Sequence, residues 1–378
     1  MATPAPISFR QRIRAFLSND IGIDLGTANT LVYVRGRGIV VNEPSVVAIN
    51  QKTGMVVAIG TQAKDMLGRT PQHITAVKPI VEGVISDFEV TEEMMRYLLK
   101  RAQEDGRKFL GPRVVVGVPS GITNVETRAV RDAAISAGAR EVHIIEEPMA
   151  AAIGIRLPVL EPVGSMIIDI GGGTTDIAVI SLGGIVVSKN LKIAGDKLNS
   201  DIMNYIRNEF KILIGEKTAE YIKIAIGSVS AEGMPGTRTG RNKTPVGAVS
   251  EIEPLEAVIR GRDLVTGLPR EVVVTDVDIR EATRQSIETL LEAAKETLET
   301  TPPEIVADVM HRGVHVTGGG ALFRGLADVL REHLKIPVTV ADDPLTAVAR
   351  GTGVVLENLP RYMEVLIKND DALPSAKF

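Results

Sequence analysis

At two places in the chain, apolar positions form a pair of short β-type runs around a turn of small residues. In Ser165 to Ile180 the run Ser-Met-Ile-Ile-Asp-Ile precedes Gly171-Gly-Gly-Thr-Thr175 and a second run, Asp-Ile-Ala-Val-Ile, follows. This pattern predicts a β-hairpin with polar chemistry at its tip. Gly171, Gly172 and Gly173 lack a Cβ, so their N–H groups can curl around an anion, and Thr174 and Thr175 add hydroxyl donors. Asp169 at the mouth of the turn would repel a phosphate unless a divalent cation lay between them, held through water as Mg²⁺ prefers. Alone, the segment reads equally well as a plain glycine-rich hairpin with a solvated carboxylate. Ile21 to Val34 repeats the layout, with an apolar strand ending at Asp24, a Gly-Thr turn and a second apolar strand. The repetition points to a duplicated domain whose halves each supply one phosphate-gripping hairpin and close on a polyphosphate–metal group.

Around these hairpins the pattern predicts short strands and turns from Gly36 to Glu82, a helix over 89–103 and a buried strand over 114–119. A helix over 123–138, a strand over 141–145 and a helix with Pro148 in its first turn follow. In the second half, helices are predicted over 196–210, 218–226 and 278–300, the last stopped by Pro302 and Pro303, with a strand over 272–275. The stretch 228–254, rich in Gly, Pro and Thr, reads as a flexible loop. Gly313 to Ala321 is a third strand-to-glycine turn. Gly318, Gly319, Gly320 and Ala321 are expected at a helix N-terminus, where their N–H groups would seat an anion or nucleotide. Strand, acidic loop and helix fill 338–356, and the last residues read as a tail.

Composition narrows the function. The 378 residues are 44% hydrophobic, enough for two domains by the rough prior of about 100–200 residues each. A net charge of −4, no Trp and 3% aromatics argue against nucleic acid as a partner. The absence of Cys excludes disulfides and thiolate metal sites, and no apolar run approaches the ~18 residues of a membrane span. A cytoplasmic protein is the expectation. Near the N-terminus, Phe9, Ile13, Phe16 and Leu17 fall on one stripe of a short helix, with Arg10, Arg12 and Arg14 beside or opposite it. This basic amphipathic stretch lacks the features of a secretory signal, while a transit peptide stays open on its Arg content. Phe109 and Leu110 stand beside Arg107 and Lys108 at an otherwise polar loop tip. Both segments are candidate membrane contacts, the alternatives being a disordered tail and a Phe109 that caps its own subdomain.

The glycine turns, the two acids and Glu147-Pro-Met-Ala-Ala-Ala152, in this order, resemble the superfamily of actin, the seventy-kilodalton heat-shock chaperones and the sugar kinases. Asp24-Leu-Gly-Thr-Ala-Asn-Thr30, Asn42-Glu-Pro-Ser-Val-Val-Ala48, Met66-Leu-Gly-Arg-Thr-Pro71, Gly83-Val-Ile-Ser-Asp-Phe-Glu89, Asp169-Ile-Gly-Gly-Gly-Thr-Thr175, Gly267-Leu-Pro-Arg270 and Val316-Thr-Gly-Gly-Gly-Ala-Leu322 are more closely similar to the MreB family of bacterial actin homologues. The resemblance implies an α/β actin-like ATPase fold, two duplicated domains, each with a small inserted subdomain, around a nucleotide cleft. Its subdomains would be 19–36 with 83–163 (IA), 37–82 (IB), 164–195 with 276–357 (IIA) and 196–275 (IIB), between an N-terminal tail of residues 1–18 and a C-terminal tail of 358–378.

By position, the resemblance implies that Asp24 and Asp169 hold Mg²⁺, that Thr27, Ala28 and Asn29 with Gly172, Gly173 and Thr174 wrap the phosphates of ATP or ADP, and that Glu220 and Lys223 meet the adenosine opposite Gly318 to Ala321. Glu147 would polarise the attacking water, assisted by Thr174, the alternative being a solvated Glu146–Glu147 pair. The implied function is a slow, Mg²⁺-dependent ATPase coupled to filament dynamics. It would form double protofilaments at the inner face of the cell membrane and, with the cell-wall elongation machinery, set rod shape. Phe109 and Leu110 fall where the family carries a membrane-inserting loop. A monomeric chaperone-class ATPase and a sugar kinase are the rival functions. Against them stand the short stretch of chain after the last matched helix and the lack of a second acid suited to a sugar hydroxyl. Three departures from the family pattern stand out: Asp176 where Glu is usual, Ala194-Gly-Asp-Lys-Leu-Asn199 in place of Gly-Gly-Asp-Lys-Met/Leu-Asp, and a longer loop over 229–254.

Overall fold

A computed structural model describes residues 20–103, 111–230 and 255–368. Within them the chain builds the same five-stranded sheet twice. In the first half β1 (Ile21–Leu25), β2 (Asn29–Val34) and β3 (Gly38–Pro44) form an antiparallel meander. An insertion follows, made of β4 (Val47–Asn50), β5 (Val56–Ile59), α1 (Thr61–Met66), β6 (Ile74–Val77) and a tight hairpin of β7 (Ile80–Val81) with β8 (Val84–Ile85). The chain then returns through α2 (Phe88–Ala102), β9 (Arg113–Val118), α3 (Asn124–Ser136), β10 (Glu141–Glu146) and α4 (Glu147–Gly154). Strands β9 and β10 extend the meander in parallel, giving the order β10-β9-β1-β2-β3.

The second half repeats this plan with β11 (Ser165–Ile170), β12 (Thr175–Ser181), β13 (Gly184–Leu191) and α5 (Gly195–Glu209). Its insertion contains β14 (Ile212–Leu213), α6 (Glu216–Ala225), β15 (Glu256–Asp263) and β16 (Pro269–Thr275). After it come α7 (Asp276–Glu299), α8 (Pro303–Arg312), β17 (Val314–Thr317), a 3₁₀ turn over Gly319–Leu322, α9 (Leu326–Leu334), β18 (Val338–Val340), α10 (Ala347–Glu357) and α11 (Leu359–Tyr362). The sheet order β13-β12-β11-β17-β18 matches the first sheet strand for strand.

Alternation along the central strands decides the layering, because successive side chains leave a strand on opposite faces. Val114 and Val116 pack outward against Met94, Met95 and Leu98 of α2 and Val130 and Ala133 of α3, while Val115 between them points the other way. Met166, Ile168 and Ile170 likewise pack against Leu290 and Leu291 of α7 and Leu330 of α9, while Ile167 joins Val115. The shared core between the sheets is filled by α4 and α10 through Ala150, Ala151, Ile153, Val348 and Val355. These two helices touch backbone to backbone: a Cβ on Gly351 would lie 1.8 Å from the Ala150 carbonyl oxygen, and one on Gly154 would lie 2.0 Å from that of Ala347.

Several expectations are corrected here. Pro303 stops one helix and starts another, α8, since a proline in the first turn sacrifices no helical hydrogen bond. Leu359, Val365 and Leu366 are buried in the central core, so the chain just beyond residue 358 belongs to the fold instead of a tail. The candidate membrane residues Phe9, Ile13, Phe16, Leu17, Phe109 and Leu110, the loop over 231–254 and the tail from 369 lie outside the described residues.

Candidate functional site

The two predicted hairpins meet tip to tip. Asp24 and Asp169 occupy equivalent places, each next to last in the first strand of its sheet. The first tip is buttressed by Ser45, whose N–H donates to Ala28 O at 3.0 Å and whose hydroxyl donates to Gly26 O at 2.6 Å. At the second, Gly195 N–H donates to Gly171 O at 3.2 Å and Asp196 N–H to Gly172 O at 2.8 Å, so the first turn of α5 engages the turn carbonyls. Glycine is required where the tips face each other. A Cβ at Gly172 would lie 2.4 Å from Ala28 Cβ, and one at Gly173 would lie 2.4 Å from Thr27 Oγ1. Thr174 lines the cavity, but the Thr175 hydroxyl turns away and donates to Ile193 O at 2.6 Å, because neighbouring residues entering a strand face opposite sides. This corrects the expectation that both threonines serve the anion.

Glu147 opens α4 between the sheets, and its place depends on an asymmetry of the duplication. Opposite Asp169 the parallel neighbour is Thr317, whose hydroxyl donates to Asp169 Oδ1 at 2.9 Å; opposite Asp24 it is Gly117. With no side chain there, Val348 packs over the strand, its Cγ1 3.0 Å from where a Cβ on Gly117 would stand, and Glu147 Cγ lies 3.6 Å from the same point. Glu147 is buried, and desolvation followed by the charges of Asp176, Asp24 and Asp169 holds its carboxyl well above the usual range. Burial, then repulsion from Asp169, pushes Asp24 up to about 8. Burial pushes Asp169 up to about 6, against the hydrogen bond from Thr317. Asp176, only 1% exposed, accepts at Oδ1 from Ser120 N–H of the first half at 2.7 Å and from Asn190 Nδ2 at 3.0 Å, and burial raises it to about 7.

These groups border a cavity of about 430 Å³. Thr27, Ala28, Asn29, Gly172, Gly173, Thr174, Glu220, Lys223, Gly318, Gly319 and Gly320 line it together with Asp24, Asp169 and Glu147. Ala321 does not, since its side chain is buried in the second half's core. The third glycine turn is a 3₁₀ turn, and two of its four N–H groups are spent within the protein: Gly318 N–H on Pro344 O at 3.0 Å and Ala321 N–H on Gly318 O at 3.2 Å. Its backbone therefore offers less to an anion than the sequence implies. Lys223 Nζ donates to Gly195 O at 2.9 Å, and burial lowers its pKa against the pull of Glu220.

Among the lining residues that sequence reasoning did not assign to the site, three bear on its geometry. Gly83, at the tip of the β7–β8 hairpin with φ of 78°, donates its N–H to Thr27 Oγ1 at 3.0 Å. Lys64 pairs with Glu220 at 3.2 Å. Asn199 lies one turn into α5. Gly83 stands in one of the motif blocks and was findable there. Lys64 had no local signal.

The donor set fits a hydrated divalent cation. Asp24 and Asp169 are raised by burial and, for Asp24, by the neighbouring Asp169 charge, so a cation between them and a phosphate would favour their ionised forms. Among the described residues no group of three or more His, Cys, Asp or Glu side chains forms a closed metal cage. Two carboxylates that leave the other positions to water and phosphate oxygens are what Mg²⁺ accepts.

The model of a family described as MreB/Mbl protein matches residues 18–364. The cell shape-determining protein MreB of Escherichia coli K12 is 50% identical over 356 residues, covering 93% of this chain and 97% of that protein. The cell shape-determining protein Mbl of Bacillus subtilis is 48% identical over 344 residues, covering 91% and 97%. Among solved structures, MreB5 of Spiroplasma citri bound to ADP superposes with a TM-score of 0.82 at 38% identity, covering 92% of this chain and 98% of that one. The MamK double helical filament, at 23% identity and a TM-score of 0.72 over 90% and 99% of the two chains, shares the actin-like fold.

Proposed function

The chain belongs to the MreB/Mbl family, and from that premise we propose that it is an actin-like ATPase whose filaments organise cell-wall synthesis and rod shape. The observation that carries this reading is the meeting of two glycine-tipped hairpins, the carboxylates of Asp24 and Asp169, and Glu147 on one cavity. Supporting it, relatives of about half identical sequence are named for cell-shape determination, and MreB5 of Spiroplasma citri has been solved with ADP and with AMPPNP. The four-subdomain division implied by the sequence is part of the proposal, with the two insertions as the outer subdomains.

In this reading Asp24 and Asp169 hold Mg²⁺ through water. The ion, when bound, neutralises phosphate charge. The residues of the chain do the rest. Thr27 to Asn29 and Gly172 to Thr174 cradle the phosphates, and Glu220 and Lys223 meet the nucleoside. Glu147, its basicity raised by burial and neighbouring carboxylates, orients and polarises the attacking water beside Thr174. Phosphoryl transfer needs little covalent help from protein, so positioning and charge are the levers.

The location proposed is the cytoplasmic face of the membrane. Among the described residues no helix is long and apolar enough to cross a membrane, and the contacts assigned are the N-terminal stripe and the 109–110 tip. The test is phosphate release and ATP-dependent sedimentation. Glu147→Ala is expected to bind nucleotide nearly as the parent does while hydrolysing it on the order of 10²-fold more slowly. Unchanged turnover removes Glu147 from the reaction, and a parent that neither hydrolyses ATP nor sediments with it overturns the function.

A further inference from the structure

Asn199 presents a buried polar atom that no described residue satisfies. It is 3% exposed, and its side-chain oxygen has no hydrogen-bond partner among the described residues. The residue lines the cavity together with Gly195, Asp196 and Leu198 of the same helix. Four residues after Gly195, it shares that residue's helical face. The helix start is pinned behind the second glycine turn, so a step of one turn along α5 leads away from the phosphate cradle, toward α6. Lys223, Glu220 and Ile224 of α6 line the same part of the cavity, and the Lys223 ammonium reaches the Gly195 carbonyl.

An unmet buried acceptor is costly, and native proteins rarely keep one without a use. Phosphate oxygens at neutral pH offer no donor. We infer that Asn199 reads the nucleoside half of the bound nucleotide, its side-chain oxygen accepting from a ribose hydroxyl or an exocyclic base amine. As an amide, Asn199 accepts this hydrogen bond without adding another carboxyl group to a cavity already lined by five. The inference rests on the proposal that a nucleotide fills this cleft, and deepens it by assigning the residue that discriminates among nucleosides.

The test is equilibrium competition against a fluorescent ATP analogue, using the intact chain with Mg²⁺ below its assembly concentration. ATP, 2′-deoxy-ATP, 3′-deoxy-ATP and inosine triphosphate, which lacks the 6-amine, are the competitors. The parent is expected to bind one of the three analogues about five-fold or more weakly than ATP, the size of a lost hydrogen bond at a site built for it. The analogue rejected identifies hydroxyl or amine as the donor. Asn199→Leu should bind ATP as weakly as the parent binds that analogue and lose the preference, while Asn199→Asp, which keeps an acceptor oxygen, should retain it. A parent that binds all four alike, or an Asn199→Leu that keeps the preference, overturns the inference and leaves the amide to a buried water. If Asn199→Leu fails to fold, as judged by circular dichroism, the parent series decides together with Asn199→Asp: loss of the preference in Asp counts against the inference and retention supports it. A parent that binds none of the four overturns the nucleotide reading itself, which separates that failure from this one.

Discussion

At the level of single residues, the cavity lining was legible where the sequence placed an acid beside glycines at a strand end. Asp24, Asp169 and the first tip meet on one cavity as the repeated layout leads one to expect. Thr175 was misread because its neighbour's role was extended to it against the alternation of a strand. Asn199 stood in a segment marked only as a departure from the family pattern, and its unmet side-chain oxygen shows only once its burial is known. The buried carboxylates carry a pH dependence. Asp24 is raised from 3.8 to about 8 in the folded, ligand-free state, first by burial and then by Asp169. Its protonated form is the one folding favours, so its contribution is fully present below the unfolded value and is lost as pH rises through about 8. Asp24→Asn, which is neutral throughout, should therefore unfold at a higher temperature than the parent at pH 8 without nucleotide, by several degrees, the gap closing steadily toward pH 4. Thermal unfolding across that range checks it, and a variant less stable than the parent at pH 8 would show that the carboxylate is not under strain. Mg²⁺ with ATP should abolish the parent's disadvantage, and the same substitution should weaken Mg·ATP binding.

Among the elements, long amphipathic helices and the apolar central strands were readable, and their ends came within a few residues. The elements missed have separate causes: β13 runs along an edge with no fully buried position, α1 has only six residues, and α8 begins at a proline that was read only as a stop. The stretch of small residues in Glu147 to Gly154 was read as permitting close packing, which it does, but its partner was not visible from sequence. That partner is α10, through Ala347 and Gly351 about 200 residues away. This joint fixes the helix that bears Glu147 between the two sheets. Gly351→Ala puts a methyl group 1.8 Å from a backbone oxygen, and neither helix can give way within a close-packed core. Overpacking of this kind costs about 1–3 kcal/mol or more. Chemical denaturation should show that loss, together with slower ATP hydrolysis as Glu147 is displaced. Gly184→Ala, whose added Cβ would meet only Ser181 O at 3.8 Å, should show neither.

For the whole molecule, the duplication was legible and the way its halves close was not. Ion pairs join the two insertions and their flanks across the cleft: Lys78 with Asp196 at 3.2 Å and with Glu216, Lys64 with Glu220 at 3.2 Å, Lys217 with Asp65 at 3.6 Å, and Lys192 with Glu82. No local pattern marks such pairs, since each partner is an ordinary surface charge in sequence. Lys78 faces two carboxylates at the starts of α5 and α6, so it closes the cleft against the helices that bear Asn199 and Lys223. Exposed pairs contribute only about 0.2–1 kcal/mol each, which makes a clasp weak enough to open in the proposed nucleotide cycle. Lys78→Glu turns two attractions into two repulsions and should speed release of a fluorescent ATP analogue roughly three- to ten-fold. Raising the salt should narrow the difference by screening the repulsion. Equal release rates at low salt would mean that the halves are held by the α4–α10 joint alone.

Assembly applies the same logic of weak contacts on a larger scale. The proposed membrane anchor of one copy is a short stripe, Phe9, Ile13, Phe16 and Leu17, with three arginines that each add about 1 kcal/mol near anionic lipid. Burial of each large apolar side chain adds at most ~1.5–3 kcal/mol, and ordering the segment offsets much of that. One copy is therefore a marginal anchor. A filament presents many on one face, and once a few are seated the rest bind at high effective concentration, so affinity should rise steeply with polymer length. Flotation with anionic vesicles is expected to carry assembled protein up and leave unassembled protein behind. Phe9→Ser with Phe16→Ser, or Phe109→Ser with Leu110→Ser, should reduce flotation while leaving sedimentation with ATP unchanged. If both double variants float like the parent, with filaments present in each, the membrane contact lies elsewhere on the molecule.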